Sequence, residues 1–264
     1  MENIQQQIEI EAIGAPDPSI HNHNAAKTKC FLLKNFFSFE QQVELFQYIQ
    51  DRDKTPWDSL PKVMVPTPTT LLLGEEQPSL GFQFGEQTVV NKMVEAARET
   101  IVKQQKNEND DILTDPALPP YKSLSFATIR YQAPDGKFPP HIDHCNKNSY
   151  VFLMSIGCTA NFLVKTPEMA DAANNHLFTE EERKFGKRFK MHSGDMLVFD
   201  ASSEAAVLHG VMGIDESNYA PIHAENEGTH EEKGDDRTVL ERLIQRYPVL
   251  QNHRFGIQCR MYFD

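Results

Sequence analysis

Residues 149–165, SYVFLMSIGCTANFLVK, contain two short apolar runs separated by a glycine, a cysteine and a threonine. Short apolar runs with turn residues at their ends are typical of buried β-strands. Further segments of this kind surround them after Pro120: SLSFATIRYQA (123–133), KRFKMH (187–192), DMLVFD (195–200), AVLHGVM (206–212) and RFGIQCRMYFD (254–264). This part of the chain therefore predicts an antiparallel β sandwich or barrel.

Two helices are predicted before this β-rich region. The sequence SFEQ (38–41) fits a capping box, and apolar residues recur at helical spacing through residues 38–53. A second amphipathic helix is predicted over residues 86–105, and the apolar run at 30–37 predicts a first strand. Helices followed by many short strands indicate an α+β protein with a mainly β core that N-terminal helices support.

The domain organisation is predicted to be simple. Residues 1–27 lack apolar periodicity and are interpreted as a flexible N-terminal tail, while residues 28–264 are interpreted as one domain. Segment 55–82 is rich in proline and threonine and predicts loop or short strand, with Trp57 as either a lid residue or a core residue. Segment 215–248 begins as an acidic loop and ends as a short helix.

The composition limits the classes of partner. A net charge of -12 argues against a protein that binds nucleic acid nonspecifically, because such proteins carry a basic surface. The segment KFGKRFK (184–190) has two interpretations: a surface that binds a phosphate backbone and stacks bases, or an edge strand with its cations outward and its phenylalanines inward.

The cellular location is also an expectation from composition. The four cysteines are scattered, with no CxxC pair, as expected for reduced thiols. The N-terminus is polar and acidic, unlike a signal or transit peptide, and no apolar stretch reaches the length of a membrane span. We therefore expect an intracellular protein, cytoplasmic and/or nuclear, with no membrane partner.

The motif PPHIDHC (139–145) contains a candidate pair of metal ligands. On an extended segment the side chains of His141 and Asp143 point to the same face and could hold one ion. The alternative is a turn histidine beside a solvated aspartate, which arises easily in a chain with ten histidines. A site of two histidines and one carboxylate suits Fe(II) oxygen chemistry. His209, in an apolar strand-like run, is the best second histidine unless it is a core residue, and His192 is a weaker choice.

Two arginines near the C-terminus complete the candidate site. Arg254 and Arg260 are six residues apart, so on one strand both side chains face the same side. Guanidinium groups bind carboxylates through two parallel hydrogen bonds, so inward arginines indicate an anionic ligand. The alternative is a pair of structural salt bridges to the acidic loops.

As a set, the order HxD, His and R-x5-R on the β-rich part of the chain resembles the AlkB family of Fe(II)/2-oxoglutarate-dependent dioxygenases. The resemblance covers roughly residues 120–264. It implies a double-stranded β-helix (jelly roll), with Fe(II), the co-substrate 2-oxoglutarate and O2 as cofactors. By this resemblance His141, Asp143 and His209 are the iron ligands.

The resemblance also implies roles for three further side chains. Arg254 matches the arginine that pairs with the distal carboxylate of 2-oxoglutarate, and Tyr131 matches a tyrosine whose hydroxyl assists it. Arg260 matches a second arginine, near the end of 2-oxoglutarate that chelates iron. Segment 55–82 corresponds to a variable lid that shapes substrate choice.

The implied reaction is oxidative demethylation of N-methylated nucleobases in DNA or RNA. The chain departs from the family at Ile129, where an asparagine is frequent. It departs again at Cys145 and Asn146, where the nucleobase-repair members carry an acidic residue that reads the damaged base. These departures keep two alternatives open: an oxygenase that acts on a protein side chain or small metabolite, or a non-catalytic metal-binding jelly roll.

Overall fold

The computed structural model describes residues 9–13, 30–52, 70–76, 89–108, 123–143, 149–166, 186–202, 205–216 and 238–262. The strands are β1 Glu9–Ala12, β2 Cys30–Lys34, β3 Thr70–Glu76, β4 Ser123–Gln132, β5 Phe138–Ile142, β6 Ser149–Gly157, β7 Ala160–Lys165, β8 Lys187–Met191, β9 Met196–Asp200, β10 Leu208–Ile214 and β11 His253–Tyr262. The α-helices are α1 Phe39–Arg52, α2 Val89–Glu108 and α3 Val239–Arg246, and a 3-10 helix spans Pro248–Gln251.

The strands form two antiparallel sheets. The large sheet has the order β1-β2-β9-β6-β11-β4-β3, and the small sheet has the order β5-β10-β7-β8. Apolar side chains from both sheets pack into one core between them, with Leu197 and Phe199 from the large sheet and Phe162 and Val211 from the small one. Two facing antiparallel sheets with crossovers between sequence-distant strands make a jelly roll, so the predicted fold class is confirmed.

The helices cover the outer face of the large sheet. Phe46 of α1 and Val94 of α2 share a core with Phe152 of β6 and Phe255 of β11. Alternate side chains of β6 and β11 therefore face the helices and the interior in turn. This explains why β6 is apolar on both faces, whereas β11 is apolar only on the helix side.

The predicted helices form close to their expected boundaries. At the start of α1 the Ser38 hydroxyl accepts a hydrogen bond from the Gln41 amide at 3.3 Å, and the Gln41 side chain accepts one from the Ser38 amide at 2.8 Å. This reciprocal pair is the predicted capping box. A second capping box between Thr238 and Glu241 starts α3, the short helix expected at the end of the acidic segment.

The N-terminal segment contains a strand that the sequence analysis did not predict. Residues 9–13 were expected to belong to a flexible tail over 1–27, and for them this prediction is wrong. β1 pairs with β2, and Glu9 and Glu11 form ion pairs with Lys34 at 2.8 and 3.2 Å. Ile13 is buried in the core between the sheets. The alternation of glutamate with isoleucine or alanine was the period-two signal of this strand.

Several predictions concern residues beyond the described ranges. β3 lies within the predicted lid segment 55–82, and residues 53–69 and 77–88, which include Trp57, are outside the described residues. The single domain over 28–264 and the lid function remain predictions. Among the helices that the structure describes, none is long and apolar enough to cross a membrane.

Truncation of Phe46 to alanine is expected to destabilise the fold strongly. Its ring is fully buried and lies 4.9 Å from the rings of both Phe255 and Tyr247, measured between centroids. We expect the free energy of unfolding to fall by about 3–5 kcal/mol, because the substitution leaves a cavity in the core where α1 packs against β11 and the end of α3. Urea denaturation followed by circular dichroism measures the loss.

The adjacent residue Gln47 is exposed on the same helix and provides the matched control. Gln47→Ala is expected to change the free energy of unfolding by no more than about 0.5 kcal/mol. Equal effects of the two substitutions would contradict the packing of α1 against the large sheet.

Candidate metal centre

The pairing of β5 with β10 brings the two candidate histidines together. His141 and His209 are directly opposite each other in the antiparallel ladder, and their ring centroids lie 4.4 Å apart. Gly210 permits this approach, because a Cβ atom there would lie 2.8 Å from the Pro140 backbone and 2.9 Å from the Phe138 carbonyl oxygen. A bulge after His209 accompanies the close approach.

Hydrogen bonds to the backbone orient both imidazoles. Nδ1 of His141 lies 2.9 Å from the Pro139 carbonyl oxygen, and Nδ1 of His209 lies 3.2 Å from the Val207 carbonyl oxygen. A carbonyl oxygen only accepts, so each Nδ1 donates its hydrogen in this contact, which leaves each Nε2 directed away from the backbone. Such outer hydrogen bonds orient histidines for a metal.

Asp143 completes a group of three potential ligands. Its Oδ1 lies 3.3 Å from Nε2 of His141 and 3.9 Å from Nε2 of His209. One ligand atom from each residue falls within 4.8 Å of the others. This is the arrangement that a 2-His-1-carboxylate metal site requires.

Arg260 holds the other oxygen of the same carboxylate. Its Nη2 donates a hydrogen bond to Oδ2 of Asp143 at 2.9 Å. Burial of Asp143 raises its pKa, but the contacts with His141, His209 and Arg260 together outweigh burial and hold the pKa well below its usual value. Asp143 is therefore a fixed carboxylate anion with Oδ1 directed to the histidines.

His209 is in the protonation state that a metal ligand needs. Burial lowers its pKa to about 4, although the nearby Asp143 carboxylate acts in the opposite direction. The ring of Phe199 lies 4.5 Å from the imidazole, between centroids, and shields it on one side. At neutral pH the imidazole is uncharged and able to bind a cation.

Arg254 lies deep between the sheets with neutral partners. Its Nη1 donates to the Ser155 hydroxyl and to the carbonyl oxygens of Cys158 at 3.3 Å and Met191 at 3.0 Å. Its Nε has no hydrogen-bond partner among the described residues. Burial lowers the pKa of Arg254 to about 10. Asp195 attracts the guanidinium electrostatically. Because the described hydrogen bonds of Arg254 go to neutral groups, the side chain can still bind an anion.

Tyr131 is the cross-strand neighbour of Arg254, and burial raises its pKa. The phenol therefore remains a neutral hydrogen-bond donor. A cavity runs from Tyr131 to the two histidines, and its walls are mainly apolar, with Phe162 and Phe199 among them. Tyr131 and the two histidines thus line one mainly apolar cavity.

The structure places the predicted residues in two linked groups. His141, Asp143, His209 and Arg260 form one, and Tyr131 and Arg254 form the other. Their roles as ligands of iron and of 2-oxoglutarate remain predictions.

The weaker candidate, His192, lies outside both groups. It is exposed, and its Nδ1 is 3.1 Å from the Thr159 hydroxyl oxygen. Sequence reasoning missed two further residues of the cavity. Phe138 stacks on His141 with centroids 4.6 Å apart, and Gln258 lines the cavity floor. The signal for Gln258 was its even spacing from both arginines.

A jelly roll that gathers two imidazoles and one carboxylate at an apolar cavity is the arrangement of mononuclear non-haem iron oxygenases. The family model of the 2OG-Fe(II) oxygenase superfamily matches residues 29–260. The chain belongs to the 2OG-Fe(II) oxygenase superfamily. It is therefore a dioxygenase that depends on Fe(II), 2-oxoglutarate and O2, and the predicted enzyme class and cofactors are confirmed.

Solved structures show similar folds at low identity. The structure of OsALKBH1 is 18% identical with a TM-score of 0.57, over 89% of this chain and 99% of that one. A Pseudomonas putida prolyl-4-hydroxylase is 9% identical with a TM-score of 0.46, over 90% of this chain and 94% of that one. A search of curated protein sequences finds no match. The first similarity concerns the fold alone, and it confirms the AlkB-like fold predicted from the sequence.

The residues present fit the cofactors of this superfamily. Two free Nε2 atoms and one Oδ1 atom suit Fe(II) and leave positions open for other ligands. The buried Arg254, with an unpartnered Nε among the described residues and Tyr131 beside it, suits a carboxylate of 2-oxoglutarate.

Removal of the His209 imidazole is expected to abolish specific metal binding. His209→Ala leaves only one imidazole and one carboxylate, so we expect the dissociation constant for Co(II), a spectroscopic substitute for Fe(II), to rise at least about 100-fold. Calorimetric titration of the metal into chelator-treated protein measures it. His192→Ala is the control and should bind Co(II) like the unaltered protein. Equal loss in both variants would contradict the proposed ligand set.

Acid is expected to destabilise the metal-free protein through His209. In the folded protein burial lowers the pKa of His209 to about 4, whereas the unfolded chain takes up this proton below the ordinary value of 6.5. The unfolded state thus binds more protons in this window, and the free energy of unfolding should fall by on the order of 1 kcal/mol per pH unit as pH drops. Urea denaturation near pH 7 and near pH 5 measures the loss.

The substitution His209→Leu removes the titrating group and should flatten this pH dependence. His192→Leu should leave it unchanged, because His192 is exposed. If His209→Leu retained the full pH dependence, another group would be responsible for it.

Proposed function

We propose that this oxygenase removes methyl groups oxidatively from N-methylated nucleobases in DNA or RNA. The observation that carries the proposal is the contact of Arg260 with Asp143 at 2.9 Å, together with the pairing of Arg254 beside Tyr131. These contacts agree with the roles that the AlkB-like resemblance implies for these side chains and so support the proposal. The fold similarity to OsALKBH1 over 89% of the chain adds support.

The chain contributes binding, orientation and exclusion of water. His141, Asp143 and His209 would hold Fe(II), while Arg254 and Tyr131 would hold the distal carboxylate of 2-oxoglutarate. With both bound, the iron supplies the oxidation of a C–H bond by O2, coupled to conversion of 2-oxoglutarate into succinate and CO2. The apolar walls keep competing water away from the reacting groups. A hydroxylated N-methyl group then breaks down to formaldehyde and the demethylated base.

The basic segment 184–190 does not support a nucleic-acid surface in its described part. In β8, Phe189 turns inward and packs against Phe162, with centroids 5.7 Å apart. Lys187 forms an ion pair with Glu11, and Lys190 forms one with Asp215 at 2.6 Å. This is the edge-strand interpretation of the segment, so a nucleic acid would have to bind elsewhere.

The alternative is the same chemistry on a protein side chain or a small metabolite. The net charge of -12 and the carboxylate partners of the β8 lysines favour it. The non-catalytic alternative is set aside, because the chain belongs to an oxygenase superfamily and its three potential metal ligands converge. We also propose an intracellular location, cytoplasmic and/or nuclear, which agrees with the absence of a disulfide at Cys30, Cys158 and Cys259 among the described residues.

Formaldehyde release from methylated oligonucleotides tests the proposed reaction. Protein loaded with Fe(II) and 2-oxoglutarate in air should release formaldehyde from oligonucleotides with N-methylated bases and none from unmethylated ones. Mass spectrometry of the digested oligonucleotide should show the demethylated base in equal amount. Asp143→Ala should lower the rate at least about 1000-fold, because the metal loses its anionic ligand and is no longer held.

The control His192→Ala should keep the rate of the unaltered protein. Succinate formation without formaldehyde from any methylated base would reject the nucleobase proposal and favour a protein or metabolite substrate. The same assay with peptides or small amines would then follow.

A further inference from the structure

A turn connects the two sheets next to Arg254. Residues 192–195 (HSGD) join β8 of the small sheet to β9 of the large sheet. The Asp195 carboxylate closes this turn, because its Oδ2 accepts a hydrogen bond from the His192 amide at 2.7 Å and its Oδ1 accepts one from the Asn35 amide at 2.9 Å. Asp195 also attracts the Arg254 guanidinium electrostatically. The turn is therefore fixed locally and lies near the buried arginine.

The oxygen atoms that orient Arg254 are attached to this turn. In the described part of the chain, Nη1 of Arg254 donates hydrogen bonds to oxygen atoms of three residues: Ser155, Cys158 and Met191. Ser155 is held by two backbone hydrogen bonds, since its carbonyl oxygen accepts from the Gly194 amide at 2.8 Å and its amide donates to the Asp195 carbonyl oxygen at 3.1 Å. The turn therefore fixes the backbone that carries the Ser155 hydroxyl.

The other two oxygen atoms depend on the same turn. Cys158 follows Gly157, whose amide donates a hydrogen bond to the Ser193 hydroxyl at 3.0 Å. Met191 is the last residue of β8 and directly precedes the turn. A shift of the turn would therefore displace all three oxygen atoms together, and it would change the direction of the Arg254 guanidinium.

Helix α1 holds the turn from the other side through the amide of Gln42. This side chain is buried. Its Oε1 accepts a hydrogen bond from the Ser193 hydroxyl at 2.6 Å, and its Nε2 donates one to the Phe37 carbonyl oxygen at 2.9 Å. The Phe37 amide donates to the Gly194 carbonyl oxygen at 3.0 Å. The start of α1 and the turn are thus joined by two routes.

Gly194 shows how closely the Gln42 amide packs on the turn. Its φ is +91°, in the left-handed region, and a Cβ atom there would lie 2.6 Å from Nε2 of Gln42. The neighbours of Gln42 on the helix, Leu45 and Phe46, belong to the apolar core. A buried amide among apolar side chains is costly unless its polar atoms are paired, and a fully paired polar network favours one arrangement. Gln42 therefore fixes the position of the turn relative to α1.

We propose that Gln42 is a positioning residue for Arg254. By holding Ser193 and Gly194 it sets the oxygen atoms that orient the guanidinium, and so it preorganises Arg254 for a carboxylate. A preorganised donor binds its ligand more tightly, because less ordering is left to occur on binding. Gln42 lies on α1, outside the two sheets, so its influence reaches the ligand only through the turn. The inference rests on the role given to Arg254 in the proposed function, but not on the identity of the methylated substrate.

The substitution Gln42→Met removes both hydrogen bonds at similar volume and tests this role. Anaerobic titration of 2-oxoglutarate into the Fe(II)-loaded protein, followed by the visible metal-to-ligand charge-transfer band, gives the dissociation constant. We expect this constant to rise roughly tenfold in the variant, because Arg254 is less well oriented. Pyruvate keeps the 2-oxo acid group that chelates a metal but has no distal carboxylate, so its dissociation constant should not change. Binding of Co(II) alone should not change either.

A second variant tests the route through the turn. Ser193→Ala removes the hydroxyl that contacts both Gln42 and Gly157. It should also weaken 2-oxoglutarate binding, and it serves equally if Gln42→Met does not fold. Because both residues act through one link, the double variant should bind 2-oxoglutarate no more weakly than the weaker single variant. Gln47→Met is the matched control, because Gln47 is exposed on the same helix, and it should leave the dissociation constant unchanged.

The outcomes separate this inference from the proposed function. An unchanged dissociation constant for 2-oxoglutarate in a folded Gln42 variant would overturn it, as would equal weakening of 2-oxoglutarate and pyruvate or additive losses in the double variant. Absence of the charge-transfer band in the unaltered protein would overturn both the inference and the co-substrate site. A selective loss of 2-oxoglutarate binding in the variants, but no formaldehyde from methylated bases with the unaltered protein, would support the inference and reject the nucleobase proposal.

Discussion

The close pairing of β5 with β10 is the contact on which the site depends. It places His141 opposite His209 and carries Asp143 to the end of β5, so that three ligand atoms meet without any long loop to position them. The pairing is possible because Gly210 has no side chain where the backbone of Pro140 crosses it. The two carbonyl contacts to Nδ1 then orient the imidazole rings, and neighbouring aromatic rings pack against them.

The charged side chains of the site either pair with one another or can pair with a bound ligand. Asp143 is held by Arg260, and the pair leaves one carboxylate oxygen facing the histidines. In the described part of the chain Arg254 donates its hydrogen bonds to neutral acceptors, while Asp195 attracts it electrostatically. Its guanidinium can therefore still pair with an incoming carboxylate. In the roles predicted for these residues, a dianionic co-substrate and a divalent cation would complete the electrostatics of the site, and the mainly apolar cavity walls would strengthen both interactions.

Much of the architecture was predictable from local patterns. The capping box at Ser38, the apolar periodicity of α1 and α2, and the short runs of β6, β7, β9 and β10 each predicted an element that the structure contains. The strand at Glu9–Ala12 escaped prediction because four residues carry little periodic signal and its partner, β2, is separated from it in sequence. The role of segment 184–190 was undecided, since only the packing of Phe189 and the ion pairs of its lysines distinguish an edge strand from a binding surface.

The sequence by itself determined which side chains could serve the site and on which face of a strand each would lie. Three of these signals are local properties of the chain: the even separation of Arg254 and Arg260, the spacing of His141 and Asp143, and the apolar run around His209. Only the tertiary structure decided that Arg260 contacts Asp143, that Arg254 is buried beside Tyr131, and that Gln258 lies on the cavity floor between them. The physical reason is that these contacts depend on the register between strands distant in sequence, which is set by the packing of both sheets around a shared core.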